Sequence, residues 1–318
     1  MTLEVLPSTG FPEVGAGDDL AALVVRHLPT LQDGDAVVVT SKVVSKAAGL
    51  VVRGPREDLL DAETDRVVAA RGPLRIVRTH HGLVLAAAGV DASNVGTGES
   101  VPLPPDPDGD ARAIRRALLD LTGARVAVVV SDTAGRAWRD GQTDIAIGVA
   151  GLRPLVSYDG RTDPHGNELH VTAPAVADEV ASAADLVAGK LDGIPVVLVR
   201  GLPREVLTTD DGDGARRLVR PEDTDLFGLG ALDAVRAAVR RDDPLGRGFP
   251  APAADALETV LREASAGSTA AARVDGDTVH VRPASAEPDA LVAAGVLAER
   301  LRVLAAAHRL ALRVVVLT

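Results

Sequence analysis

The sequence predicts an α/β fold with a small α/β appendage at its carboxyl end, and three observations carry that prediction. Apolar, β-branched runs at 36–40, 125–131 and 195–201 have the length of buried strands. Stretches with helical periodicity at about 19–28, 110–122 and 177–187 lie between them, and turn residues separate the two kinds of segment. The run that opens at Arg125 ends in Ser131, Asp132 and Thr133, which places Asp132 at the carboxyl end of a strand. In an open α/β sheet that edge forms the binding crevice. The segment after it holds Gly135, Arg136, Trp138, Arg139, Asp140, Gly141, Gln142, Thr143 and Asp144, more polar function than a connection needs, and Trp138 is the single Trp of the chain. An Asp that merely caps a strand-to-loop turn is the alternative.

Composition narrows the function classes. A chain of 318 residues with 46% hydrophobic content can bury a large core and holds more than one domain. With no Cys there is no disulfide, no thiolate nucleophile and no Cys-based metal site, which fits a reducing compartment and a cytoplasmic location. No apolar run approaches the ~20 residues of a membrane span, and no basic-then-apolar leader opens the chain, so no membrane partner is expected. A net charge of −11 with 2% aromatic residues argues against a nucleic-acid surface. Any phosphate must therefore be met by a local cluster. All but three of the 34 basic residues are Arg, and the three exceptions are Lys42, Lys46 and Lys190. Lys is a compact point charge where Arg is a planar fork, so lysines that survive this skew mark places where the fork does not fit. Chance survival on the surface is the alternative, strongest for Lys190.

Taken in order, residues 3–6 form a short strand, and Phe11-Pro12-Glu13-Val14 is a Pro-fixed turn. Asp18 or Asp19 caps the helix over about 19–28, which carries Leu20, Leu23, Val24 and Leu28. After the strand 36–40 comes Ser41-Lys42-Val43-Val44-Ser45-Lys46, a phosphate cradle if a helix opens there, otherwise a solvated first turn. Residues 55–70 read as an acidic-to-basic helix broken by Arg71-Gly72-Pro73. A strand at 74–78 and an apolar run at 83–88 follow, and the latter leads to Asp91 and Asn94. His80 and His81 lack a third ligand at metal spacing and read as loop or core residues. Gly160 to Leu169 is turn chemistry, and the small-residue helix 177–187 leads through Gly189-Lys190 into the strand 195–201. Asp210 to Gly214 lacks the Glu that closes a calcium loop and reads as a mobile acidic loop.

These motifs resemble the coenzyme F420-0:γ-glutamyl ligase family: Phe-Pro-Glu-Val at 11–14, Thr-Ser-Lys-Val-Val-Ser-Lys at 40–46, the stretch His81 to Asn94, Ser-Asp-Thr-Ala-Gly-Arg-Ala-Trp-Arg-Asp-Gly-Gln-Thr-Asp at 131–144, and Val-Ala-Asp-Glu at 176–179 with Gly189-Lys190. The similarity runs over about 3–243, with Asp140 where Asn is usual and Ala134 where a larger residue is common. It implies a GTP-dependent, GDP-forming ligase of coenzyme F420 biosynthesis that adds L-glutamate, through γ-linked peptide bonds and an acyl phosphate, to the lactyl-phosphate end of the deazaflavin F420-0. It implies a divalent metal, magnesium or manganese, held by Asp91, Asp132 and Thr133, and allows a monovalent ion such as potassium. Phe11, Pro12, Glu13, Val14, Ser41, Lys42, Lys46 and Asn94 line the GTP site, Gly189 and Lys190 close over the nucleotide, and Asp132 and Arg136 take the catalytic roles. The implied fold is a two-lobed α+β arrangement with mixed sheets, in a homodimer.

Residues 244–318 lie outside the match and form the appendage. After a Pro/Ala-rich link at 249–253 they read as a helix (254–265), a hairpin turning at Asp275-Gly276, an Ala/Leu helix (288–309) and a strand (311–317). Two origins fit: a reduced, flavin-free relic of the nitroreductase-like domain fused to actinobacterial relatives, or an unrelated packing element. Two rival functions stand beside the ligase. A strand ending in Asp-x-Thr suits a metal-dependent phosphohydrolase, and a non-catalytic GTP- or F420-binding protein would use the same pocket without turnover.

Overall fold

The computed structural model describes residues 2–222, 224–240 and 251–317. The chain divides into two compact units, Met1–Val219 and Arg220–Thr318. The boundary expected at 243/244 lies outside the described residues, as does the first part of the 249–253 link.

The first unit runs β1 (Glu4–Pro7), α1 (Leu20–His27), β2 (Ala36–Thr40), α2 (Ser41–Ala47), β3 (Val52–Arg53), α3 (Arg56–Glu63), β4 (Thr64–Arg71), β5 (Leu74–Thr79), β6 (Val84–Ala86), β7 (Glu99–Ser100), α4 (Pro107–Thr122), β8 (Ala127–Arg136), β9 (Arg139–Ala150), α5 (Val176–Ala188) and β10 (Val196–Arg200). Its main sheet has the order β1-β10-β2-β8-β9. Only β2 and β8 pair in parallel there, and the other three pairs are antiparallel. The sheet is therefore mixed, the α+β arrangement that the family resemblance implies.

The β-branched runs form central strands because both of their faces are covered. On one face Val37, Val39, Val128 and Val130 pack with Leu20 and Val24 of α1 and Ile114 and Leu118 of α4. On the other, Val38, Val129, Val197 and Val199 meet Ala177, Val180, Ala181 and Ala184 of α5, whose small side chains let the helix lie close. Asp19 caps α1 by accepting from the Ala22 amide at 3.0 Å. Asp106 and Pro107 open α4, and Gly123, at φ +73°, closes it. At the start of β2 the buried carboxylate of Asp35 takes two bonds from Arg200 of β10, at 2.8 and 2.7 Å, and one from the Gln32 amide.

The structure corrects three expectations. The helix expected over 55–70 stops at Glu63, and Thr64–Arg71 is β4, paired antiparallel with β5. Residues 64–69 of β4 alternate between half-buried and exposed, the period of a strand, and Gly72-Pro73 makes the tight turn, with Gly72 at φ +57°. The strand expected to end in Ser131, Asp132 and Thr133 continues to Arg136: β8 and β9 run on as a two-stranded arm in which Thr133 pairs with Asp144 and Arg136 with Arg139. The acidic loop 210–214 is pinned, since Asp211 forms an ion pair with Arg115 at 2.8 Å and its carbonyl accepts from the Gly151 amide.

The second unit contains α6 (Ala231–Arg240), α7 (Ala256–Ser265), β11 (Ala271–Asp275), β12 (Thr278–Arg282), α8 (Pro288–Ala307) and β13 (Arg313–Val316). The hairpin β11–β12 and the parallel strand β13, reached through α8, form a three-stranded sheet. Val260, Val279, Val281, Leu297 and Leu301 are the centre of its own core. No helix among the described residues is long and apolar enough to cross a membrane.

Candidate active site

The parallel ladder between β2 and β8 ends at the pair Thr40–Ser131. Beyond it β2 turns directly into α2 at Ser41, while β8 continues to Asp132, and the Ser41 hydroxyl donates to Asp132 Oδ1 at 2.7 Å. Alternate residues of a strand face opposite sides of the sheet. Asp132 falls in line with Val128 and Val130, on the α1/α4 side, and Ser131 and Thr133 fall in line with Val129, on the α5 side. The functional residues accordingly divide into two clusters wrapped around one sheet edge.

On the first side, Lys42 pairs with Asp91 at 2.6 Å and donates to Ser93 Oγ at 2.7 Å. The Ser93 amide and hydroxyl both donate to Asp91, at 2.6 and 2.9 Å. Burial would raise the Asp91 carboxyl, but the bonds from Lys42 and Ser93 outweigh it and hold the group below the usual carboxylate range. One helical turn along α2, Lys46 is buried at 6% exposure. It reaches the Glu13 carboxylate and the Asn94 carbonyl. Asn94 adopts the left-handed backbone, φ +54°, which Asn tolerates better than most residues. In the 11–14 segment Phe11 lies 5.4 Å from the His27 ring, Val14 is buried, and Pro12 and Glu13 stay exposed.

On the second side the buried carboxylate of Asp144 accepts from Ser131 Oγ at 2.9 Å and Thr133 Oγ1 at 2.8 Å. Gly189 ends α5 at φ +60°, and Lys190 then turns back to donate to Thr133 Oγ1 and Asp185 Oδ1, each at 3.0 Å, with Asp144 at 3.7 Å. Burial opposes the charge on Lys190, but Asp185 and Asp144 prevail and its pKa is raised. Ser182 of α5 donates to the Asp144 carbonyl at 2.9 Å, which fixes that strand against the helix.

Asp132 keeps part of its surface open yet is walled in on most sides. This burial, reinforced by the negative fields of Asp144 and Asp91 and opposed by the Ser41 hydrogen bond, pushes its carboxyl up to about 7. The edge thus holds more carboxylate than cation, and its donors are hard oxygens: Asp91, Asp132, the Thr133 hydroxyl and Asp144. That donor set fits a magnesium- or manganese-class ion. Among the described residues no three His, Cys, Asp or Glu side chains gather closely enough to cage a metal alone. A divalent ion here would complete its shell with hydroxyls, water or substrate phosphate, as magnesium commonly does.

The structure therefore brings Glu13, Ser41, Lys42, Lys46, Asp91, Asn94, Asp132, Thr133 and Lys190 into these two linked clusters. Arg136 stands apart on the exposed arm and donates to the Asp140 carbonyl of its own hairpin at 3.1 Å. Sequence reasoning assigned no role to Ser93, Ser131, Asp144, Ser182 or Asp185. Asp144 carried a usable signal, because two hydroxyl residues and an acid on facing arms of a hairpin meet only if the arm is a hairpin. His80 and His81 are loop residues whose Nε2 atoms contact the Ala62 and Pro104 carbonyls at 3.0 Å.

Residues 10–56 and 57–201 match the family model described as F420-0:Gamma-glutamyl ligase. Among curated proteins, the Coenzyme F420:L-glutamate ligase of Methanothermobacter thermautotrophicus is 39% identical over 252 residues, covering 71% of this chain and 99% of that protein. The protein of the same name from Archaeoglobus fulgidus is 38% identical over 249 residues, 69% of this chain and 99% of its own length. That from Methanopyrus kandleri is 35% identical over 247 residues, 71% and 98% respectively. The edge that gathers the lysines and carboxylates lies inside the matched region, and the chain belongs to the F420-0:γ-glutamyl ligase family.

Proposed function

We propose that the protein is a GTP- and divalent-metal-dependent ligase that adds L-glutamate, through γ-linked peptide bonds, to the lactyl-phosphate end of F420-0. The observation that carries this reading is the convergence of all three lysines of the chain on the carboxylate- and hydroxyl-lined end of the β2–β8 ladder. Phosphoryl transfer needs positioning and charge neutralisation more than it needs a protein nucleophile, and this edge supplies charge without a Cys or a paired Ser–His.

In the proposed reaction the acceptor carboxylate attacks the γ-phosphorus of GTP and GDP leaves. The amine of glutamate then attacks the carbonyl of the resulting acyl phosphate, forming the amide and releasing inorganic phosphate and a proton. Lys42 and Lys46, with Phe11 to Val14, Ser41 and Asn94, hold the nucleotide phosphates, exchanging their contacts with Asp91 and Glu13 for contacts with substrate. Gly189 and Lys190 bring a further positive charge from the α5 side. Arg136, on the same strand face as Asp132, steadies the acceptor. Asp91 and Asp132 on one face of the edge, and Thr133 on the other, would hold magnesium or manganese, one ion to each face, which neutralises phosphate charge when bound. The functional unit is a homodimer. The test is incubation with F420-0, L-glutamate, GTP and manganese, read by mass spectrometry. A product heavier by glutamyl units supports the ligase, phosphate release without glutamate turns the reading to a phosphohydrolase, and GTP binding without turnover turns it to a binding protein.

A further inference from the structure

The β8–β9 arm leaves the main sheet just where the clusters sit and ends at Trp138. Beyond Ser131 β8 loses its β2 partner, and residues 132–144 pair only with each other, closing at Arg136–Arg139 around a two-residue turn, Ala137-Trp138. Such turns give the left-handed backbone position to Gly or Asn. Here Trp138 holds it, at φ +65°, and its side chain is 88% exposed. For a bulky residue that backbone is strained, and turn formation gives no reason for the choice. Packing within the chain gives none either. A chain with one Trp and 2% aromatic residues thus spends its largest side chain on the tip of a polar arm, between two arginines.

The arm also fixes a distance. Trp138 lies six residues beyond Asp132, which at the rise of a strand is about 20 Å along the arm. Asp132 and Arg136 share one strand face, so a positive charge stands between the reacting edge and the indole. The acceptor of the proposed ligase has the matching order of parts: a carboxylate to be activated, a phosphodiester, a ribityl chain and a flat deazaflavin ring.

We propose that Trp138, flanked by Arg136 and Arg139, is the docking site for the ring of the acceptor, with the phosphodiester lying along Arg136 and the carboxylate reaching the Asp132–Thr133 edge. This rests on the ligase reading above. Stacking on an exposed aromatic tolerates a large planar ring, and the arginines supply the charge complement to its anionic tail. The arm then measures the acceptor, seating molecules whose ring and carboxylate are the right distance apart.

Because Trp138 is the single Trp, its fluorescence reports this contact alone. Titration of the full chain with F420-0, corrected for absorbance against N-acetyl-tryptophanamide, should quench the emission saturably. In steady-state ligation Trp138→Ala should raise KM for F420-0 roughly ten-fold and leave KM for GTP in place, and Trp138→Phe should recover most of the loss. An acceptor with the lactyl phosphodiester but no ring should show no such penalty on going from wild type to Trp138→Ala. Ligation with no quench and an unchanged KM for F420-0 would overturn the docking site while leaving the ligase intact. Quenching by F420-0 without ligation would uphold the docking site and remove the ligase reading. A raised KM for GTP in Trp138→Ala would put the guanine on the indole and overturn the assignment.

Discussion

Ser41 and Asp132, ninety-one residues apart in sequence, are joined at 2.7 Å by a hydroxyl-to-carboxylate hydrogen bond one step beyond the last pair of the parallel ladder. The bond ties the first residue of α2 to the acid around which both clusters are arranged. Asp132→Asn keeps an oxygen for Ser41 and removes the negative charge that the carboxyl carries when ionised. Turnover should fall roughly 10²-fold or more with the melting temperature preserved, as loss of a charge stabiliser does. Wild-type turnover would take Asp132 out of the chemistry.

Lys46 sits nearly dry between the Glu13 carboxylate and the Asn94 carbonyl. Lys46→Met keeps the aliphatic stem and removes the ammonium. Calorimetric GTP affinity should drop by about 1–3 kcal/mol, the worth of a charge-assisted bond to phosphate. Melting should shift only modestly, from the unpaired Asn94 carbonyl. Unchanged GTP affinity would make Lys46 a structural residue.

The Asp178 carboxyl is raised above its ordinary value by burial and by Glu179, against the bond it accepts from the Ala146 amide. A folded-state pKa above the unfolded one means that this group favours the fold when protonated and loses that advantage as pH rises through the folded value. Asp178→Asn, which still accepts from Ala146, should therefore melt above wild type at pH 7, and the gap should close as pH falls toward 4. A gap that widens in acid would reverse the sign of the argument.

Arg200 satisfies both oxygens of the buried Asp35, linking β10 to the start of β2. Arg200→Met strands that carboxylate with only the Gln32 amide. Denaturant unfolding should show a loss of about 2–3 kcal/mol, at the low end for a buried pair because Arg200 is partly exposed. No change in midpoint would show that solvent substitutes for Arg200.

Much of this site was legible in the sequence, and for a chemical reason. A composition in which nearly every basic residue is Arg singles out the few lysines, and Lys42, Lys46 and Lys190 all lie at the edge. Lys190, the one with the strongest case for chance survival, is the one that contacts Thr133. The segment 64–71 was not legible because Val67, Ala69 and Ala70 suit either period, and only the partner strand β5 decides between them. The arm was not legible as paired strands because its polar sequence suits a connection, whereas each of its strands satisfies the backbone of the other. Asp144 was hidden with it, since its proximity to Thr133 exists only in the paired arm.

The placement of Asp132 and Thr133 on opposite faces of β8 makes the count of residues as binding a constraint as their identity. One residue inserted between Val130 and Asp132 would exchange the two faces, turning the metal-suited acid toward α5 and the hydroxyl toward α2, though every side chain remained present. Substitutions around this edge can be explored one at a time, but length changes cannot, and engineering that alters the reach of the arm is better done beyond Thr133, where paired insertions in β8 and β9 preserve the alternation.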